Sequence, residues 1–441
     1  MFSPISPELL ASFEKGFASD PVNPLRMHAV VKHGVSDAAE NHMEDVENPM
    51  IFSIELESGK ITDQHASGRC WLFAGLNTMR YEIMQKLNLK TFELSQNYQM
   101  FFDKLEKANY FLESVIKTSE EPLDGRLVNF LLQNPMQDGG QWDMFAALVD
   151  KYGCVPKYVM PETYHSSNTG DMVRLLTVKL REDALILREA TGDRQALKDE
   201  MLGEIYRMLV ICLGEPPKVF DFEYRDKDKN FHRDCGLTPR AFYEKYVGQA
   251  MDDYVSVINA PTADKPYGKT YTVDYLGNVA GGRAVKYLNL KSSELKALAI
   301  AQLKDGQPVW FGCDVGKMQM RKRGIMGMKT FDYQNLLGVS FGLNKAQRLD
   351  TGESMLTHAM VFLGVNLTED GKPNRWKVEN SWSDERGQEG YYIMTDEWFD
   401  QYNYQVVINR KYMTDEQRAF YDQEPVVLKP WDPMGSLARW Q

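Results

Sequence analysis

The stretch Asp63-Gln64-His65-Ala66-Ser67-Gly68-Arg69-Cys70-Trp71 decides the fold. It ends where a helical pattern begins. Trp71, Leu72, Ala74, Leu76, Met79, Ile83, Met84 and Leu87 recur at helical spacing, so residues 70–89 are expected to form a buried helix with Cys70 in its first turn. A helix N-terminus carries partial positive charge, and that charge favours thiolate over thiol. Cys70 is therefore a candidate nucleophile. Gln64, six residues upstream, is placed to fold back so that its amide and the Cys70 N–H form an oxyanion hole.

A lone cysteine on a helix is ordinarily a packing residue. Two downstream segments change that reading. Leu356-Thr357-His358-Ala359-Met360-Val361-Phe362-Leu363 is a near-continuous apolar strand with one histidine near its start. Arg375-Trp376-Lys377-Val378-Glu379-Asn380-Ser381-Trp382 is a second strand, delivering an asparagine and then a tryptophan. On adjacent strands, Asn380 would orient the His358 imidazole, and the imidazole would take the thiol proton. Trp382 would cover that hydrogen bond and exclude water. Taken singly, His358 reads as a core histidine and Asn380-Ser381 as a turn. The ordered set Gln, Cys-Trp, His, Asn-Ser-Trp is what carries the signal.

At these residues the chain resembles the papain-like cysteine peptidases, and within them the bleomycin hydrolase/aminopeptidase C family. The resemblance extends to Ser95-Gln96-Asn97-Tyr98, Phe102 to Asn109, Asp138-Gly139-Gly140-Gln141-Trp142, Trp310 to Val315 and the tail Trp431-Asp432-Pro433-Met434-Gly435. In papain-like enzymes the histidine lies about 130–150 residues beyond the cysteine. Here His358 lies 288 residues beyond Cys70, which calls for a large insertion.

The expected architecture is α+β, with a helical half facing a mostly antiparallel sheet half and the site in the cleft between them. Residues 1–62 read as an N-terminal arm with a short helix over Pro7–Phe17, irregular afterwards. Residues 63–165 read as the helical half with the nucleophile. Residues 166–290 read as the insertion: helical over 170–213, then a hairpin over 218–235 with its tip at Asp226 to Asn230. Residues 291–412 read as the β half with His358 and Asn380, and residues 413–441 as a C-terminal arm. Ser95 is a plausible cap for a helix reaching about Lys117, with Phe101, Phe102, Leu105, Phe111, Leu112 and Ile116 on its apolar side.

Gly139-Gly140 reads by default as a turn. The resemblance implies that the pair admits the extended backbone of a substrate. It also implies that the C-terminal arm enters the cleft, where its terminal carboxylate would hold a substrate's α-ammonium. The tail here continues past Ala438 with Arg439-Trp440-Gln441, so trimming is expected to leave Ala438 as the anchoring end. The implied activity is removal of N-terminal residues from peptides, by a homohexamer. An endopeptidase is the alternative if the tail anchors no ammonium. A non-catalytic nucleic-acid-binding channel is the alternative from another class.

Composition bears on partners. The 441 residues carry a net charge of −11, which disfavours nucleic acid, and Arg321-Lys322-Arg323 reads as a solvated loop. The five cysteines are odd in number, scattered and without a CxxC, so neither a disulfide framework nor a structural zinc is expected. No metal or organic cofactor is expected. No run approaches the roughly 18 apolar residues of a membrane span, and the first residues lack a secretory signal pattern. A cytoplasmic enzyme is the expectation.

Overall fold

The helix that begins at Cys70 runs to Lys86, and 13 of its 17 residues are buried, so it lies inside the molecule rather than on its surface. A computed structural model describes residues 2–248 and 250–438. Next comes the Gln96–Lys117 helix, capped by Ser95, whose Oγ accepts the Tyr98 N–H at 3.0 Å. Its expected apolar side is present, with Phe101, Phe111 and Leu112 buried. Its other side was not expected to be buried and is: Asn97, Gln99, Asp103, Lys104 and Lys107 are all enclosed. Lys104 and Lys107 lie beneath the loop at 137–139, while Asn97 donates to the Pro161 and Leu213 carbonyls and Gln99 to that of Gly153.

Twelve strands among the described residues share one sheet. At its centre the His358–Leu367 strand pairs antiparallel with Val309–Cys313 on one side and Pro373–Glu379 on the other. The register sets His358 opposite Cys313 and Val361 opposite Glu379. Tyr391–Thr395 extends the sheet beyond Pro373–Glu379, and Asn403–Asn409 extends it beyond Val309–Cys313. The Cys70–Lys86 helix packs across the His358–Leu367 strand.

The expected partition needs two corrections. The 166–290 segment is not a separate insertion throughout. Its helices Gly170–Glu189 and Arg194–Leu213 pack on Gln96–Lys117, and its hairpin is Phe220–Arg225 with Phe231–Leu237. Its later strands, Tyr254–Ile258, Lys269–Val273 and Tyr287–Asn289, belong to the main sheet, with Tyr254–Ile258 joined to Asn403–Asn409. Tyr254–Ile258 is buried at every position, so it lacks the in–out alternation that marks a half-exposed strand. The N-terminal arm, expected to be irregular after its first helix, carries a second helix, Asn23–His33, and a short strand, Ile54–Glu55, paired with His358–Leu367. No described helix is long and apolar enough to cross a membrane.

Candidate active site

Cys70 stands in the first turn of its helix, preceded by a loop fixed from several sides. Arg69 is fully buried. It forks onto both Glu162 carboxylate oxygens at 3.1 and 2.8 Å, and its Nε donates to Ser67 Oγ at 3.0 Å. Asp138 accepts the Gly68 N–H at 2.9 Å and the Thr169 hydroxyl at 2.5 Å, and it pairs with Lys104 at 2.8 Å. Burial alone would raise the Asp138 pKa. Lys104, Thr169 and Gly68 outweigh that and hold the carboxyl well below its ordinary range. The carboxylate clamps the backbone two residues before Cys70. The buried Lys107 ammonium bridges Asp103 and the carbonyls of Gln137 and Gly139. These residues support the loop that leads to Cys70, and the sequence had assigned them no role.

His358 begins its strand and is buried. Its Nε2 lies 2.9 Å from Asn380 Oδ1. Asn380 Oδ1 also accepts the Ser381 N–H at 2.8 Å, which identifies that atom as the oxygen. Nε2 must then be the protonated nitrogen, leaving the Nδ1 lone pair to take a proton from a thiol. Trp382 lies against the imidazole with ring centroids 4.7 Å apart, the cover expected of it.

The Cys70–Lys86 helix meets the sheet beside this strand, where the Trp310 indole donates to the Trp71 carbonyl at 3.2 Å. Cys313, the ladder partner of His358, has its thiol pushed well up, first by burial, then by Asp314 and by Cys70 itself. Burial pushes the imidazole down to about 4 from an ordinary 6.5; the Asn380 hydrogen bond opposes this and the Arg321 charge assists it. A neutral imidazole is a competent proton acceptor at pH 7, and an anion forming at Cys70 would stabilise the imidazolium.

Gln64 is buried, and its backbone N–H donates to Ser381 O at 3.0 Å while Asp63 bridges to Trp382. Its amide nitrogen donates to Ser67 O at 2.6 Å. The segment is also tied to the nucleophile helix. Asn77 donates to Thr62 Oγ1 at 3.2 Å and to Glu379 Oε1 at 2.7 Å, and the buried Arg80 pairs with the same Glu379 oxygen at 2.6 Å.

The two glycines differ. A Cβ on Gly139 would meet the carbonyl oxygen of Leu437 at 2.2 Å, so the C-terminal arm runs directly over it. A Cβ on Gly140 would strike the Trp71 indole at 2.5 Å, so packing against the Cys70–Lys86 helix also calls for glycine there. Leu437 and Ala438 are buried. Arg439, Trp440 and Gln441, expected to be trimmed, lie outside the described residues.

A nucleophile at a helix start, a base oriented by an asparagine, and amide donors beside them define a thiol-peptidase site. The model of the Peptidase C1-like family matches residues 4–435, and the chain belongs to that family. It is 49% identical to the aminopeptidase C of Listeria monocytogenes over 98% of each chain. It is 42% identical to human bleomycin hydrolase over 99% of each. A crystal structure of PepW from Lactobacillus rhamnosis superimposes with a TM-score of 0.97 at 51% identity, covering 99% of each chain.

Replacing Asn380 by alanine removes the acceptor that orients His358 and supports its charge. The expected loss in kcat/KM is roughly 10- to 100-fold, the value of a hydrogen bond to a charged group. The sign of the accompanying pH effect follows from the same bond. Without it the imidazolium loses its proton more easily, so the acid limb of the pH–rate profile, set by an imidazole at about 4, moves to lower pH. An N380A enzyme with an unshifted acid limb would contradict this role.

Proposed function

We propose that this protein is a cysteine aminopeptidase that removes N-terminal residues from peptides through a thioacyl intermediate. Cys70 attacks the scissile carbonyl. Gln64 and the Cys70 N–H hold the oxyanion. His358 delivers the thiol proton to the leaving amine and then activates the water that frees the acyl group, while Asn380 orients it. Family membership and the relatives at 42% and 49% identity support this reading over an endopeptidase or a non-catalytic scaffold.

The observation that carries the exopeptidase reading is the course of the C-terminal arm. Besides lying on Gly139, the arm receives Gln141 Nε2 at Met434 O, 3.3 Å away, and its Ser436 Oγ donates to Leu356 O at 2.7 Å. Gly139 and Gln141 belong to the nucleophile half, and Leu356 is two residues before His358. An arm joined to both halves blocks that end of the cleft to a long chain, and a carboxylate at Ala438 would meet the substrate ammonium there.

A reducing cytoplasm suits a thiolate nucleophile. A homohexamer suits the first helix, Pro7–Ser19, which has no buried residue and exposes Leu9, Leu10, Phe13 and Phe17. The test compares each peptide of a panel with its N-acetylated form, on protein of measured intact mass. The expected outcome is hydrolysis of the free peptides and loss of all detectable cleavage when the amine is blocked. Equal cleavage of both forms would establish an endopeptidase instead.

A further inference from the structure

One charged side chain at the site enters the chemistry above only through its field on the His358 imidazole. Arg321 is exposed, on the loop joining the Gln319–Met320 and Ile325–Met326 strands. Its guanidinium carbon lies 5.8 Å from the centroid of Trp382, the indole that covers His358. The loop is held in place by Tyr392, whose hydroxyl donates to the Arg321 carbonyl at 3.4 Å. The neighbouring Arg323 is engaged with Asp45 at 2.9 Å. No ion pair among the described residues engages the Arg321 guanidinium.

The proton stored on His358 must pass to the leaving amine, so the His358–Trp382 side of the site is where the leaving group departs. The residue that follows the scissile bond therefore lies near Trp382 and the charge beside it. The chain as a whole carries −11, and Arg321 sets a positive charge beside the indole that covers His358.

We infer that Arg321 is a specificity residue that draws a carboxylate to the leaving-group side of the site. The carboxylate is either the side chain of an acidic second residue or the free C-terminus of a dipeptide. This rests on the aminopeptidase reading for its substrates but not for its geometry. An exposed cation of this kind acts through a screened field, so its effect is modest and falls with salt. Arg321 contributes to choice among substrates and takes no part in bond making.

The test uses four peptides sharing one accepted first residue: a neutral dipeptide amide, the same dipeptide as free acid, an aspartyl amide and a lysyl amide. The expected result is a kcat/KM preference of roughly two- to fivefold for each carboxylate-bearing peptide over the neutral amide. R321Q removes the preference, R321E reverses it in favour of the lysyl amide, and R321K retains it. A preference confined to the free acid identifies the terminal carboxylate as the group recognised; one confined to the aspartyl amide identifies the side chain. Ratios unchanged in R321E overturn the inference. Alkylation of Cys70 gives a readout independent of peptides. The rate ratio of anionic iodoacetate to neutral iodoacetamide falls in R321Q and falls further in R321E if the inference holds. If no peptide is cleaved and the alkylation ratio still follows residue 321, the aminopeptidase reading fails and the role of Arg321 stands. If the alkylation ratio ignores residue 321, the role of Arg321 fails.

Discussion

Cys70→Ala lowers kcat on a free-amine peptide by at least ~10⁴, the scale on which triad enzymes depend on their nucleophile, and leaves the fold intact. Both halves of this expectation have a structural cause. The loss is large because the other parts of the site act only through the sulfur. The Nδ1 lone pair of His358 has no thiol proton to take, and the Gln64 amide has no tetrahedral oxyanion to meet. The fold survives because the site is held by other bonds. Asp138 still accepts the Gly68 N–H, Arg69 still grips Glu162, and the Trp71 indole still donates to Asp138 O at 2.7 Å. Removing one sulfur from a buried position costs about 1 kcal/mol or somewhat more, well within what a chain of this size can absorb. Circular dichroism and thermal melting of C70A check the fold, and a single-turnover assay checks the chemistry. Residual activity within a factor of ten of the parent would remove Cys70 from the mechanism.

The residues proposed to make and break bonds were legible as candidates because each needs a particular residue type at the start or end of an element. Cys70 opens a helix, His358 opens a strand, and Asn380 and Trp382 follow a strand's end. Those positions can be read from periodicity alone. The supporting groups could not be. Asp103, Lys104 and Lys107 lie at helical spacing and read as a solvated face until the loop at 137–139 is laid over them. Tyr254–Ile258 reads as an isolated apolar run because its ladder partner, Asn403–Asn409, is nearly 150 residues away. Arg321 shares a run with Lys322 and Arg323, and nothing local distinguishes it. Only the fold brings it to Trp382 and sends Arg323 to Asp45. In each case the missing information is a contact between residues distant in sequence.

Glu379→Ala destabilises the protein by about 3–5 kcal/mol, the cost of leaving a buried charge without its partner. Arg80 and Glu379 are each 2% exposed, and their ion pair spans the nucleophile helix and the strand that ends in Asn380. Arg80 also donates to Lys60 O at 2.8 Å, and Asn77 shares the Glu379 oxygen that Arg80 uses. Without the carboxylate, the guanidinium keeps a single carbonyl partner in a dry site. The alternative explanation is a simple packing loss, and a double variant separates the two. If the charge is the cause, Arg80→Met with Glu379→Leu recovers most of the stability lost by Glu379→Ala, because no charge is then stranded. If packing is the cause, Glu379→Leu alone recovers as much, because it refills the volume while still stranding Arg80. Denaturant unfolding of the four proteins decides this. Activity follows a different rule from stability here. Glu379 immediately precedes Asn380, so the double variant, though refolded, loses the tie between the Asn77–Arg80 turn and the strand end. Its kcat is expected to fall by about tenfold, since small displacements of an orienting group are costly, while its melting temperature returns toward that of the parent. A double variant restored in both respects would show that Glu379 serves the fold alone and that Asn380 is positioned without it.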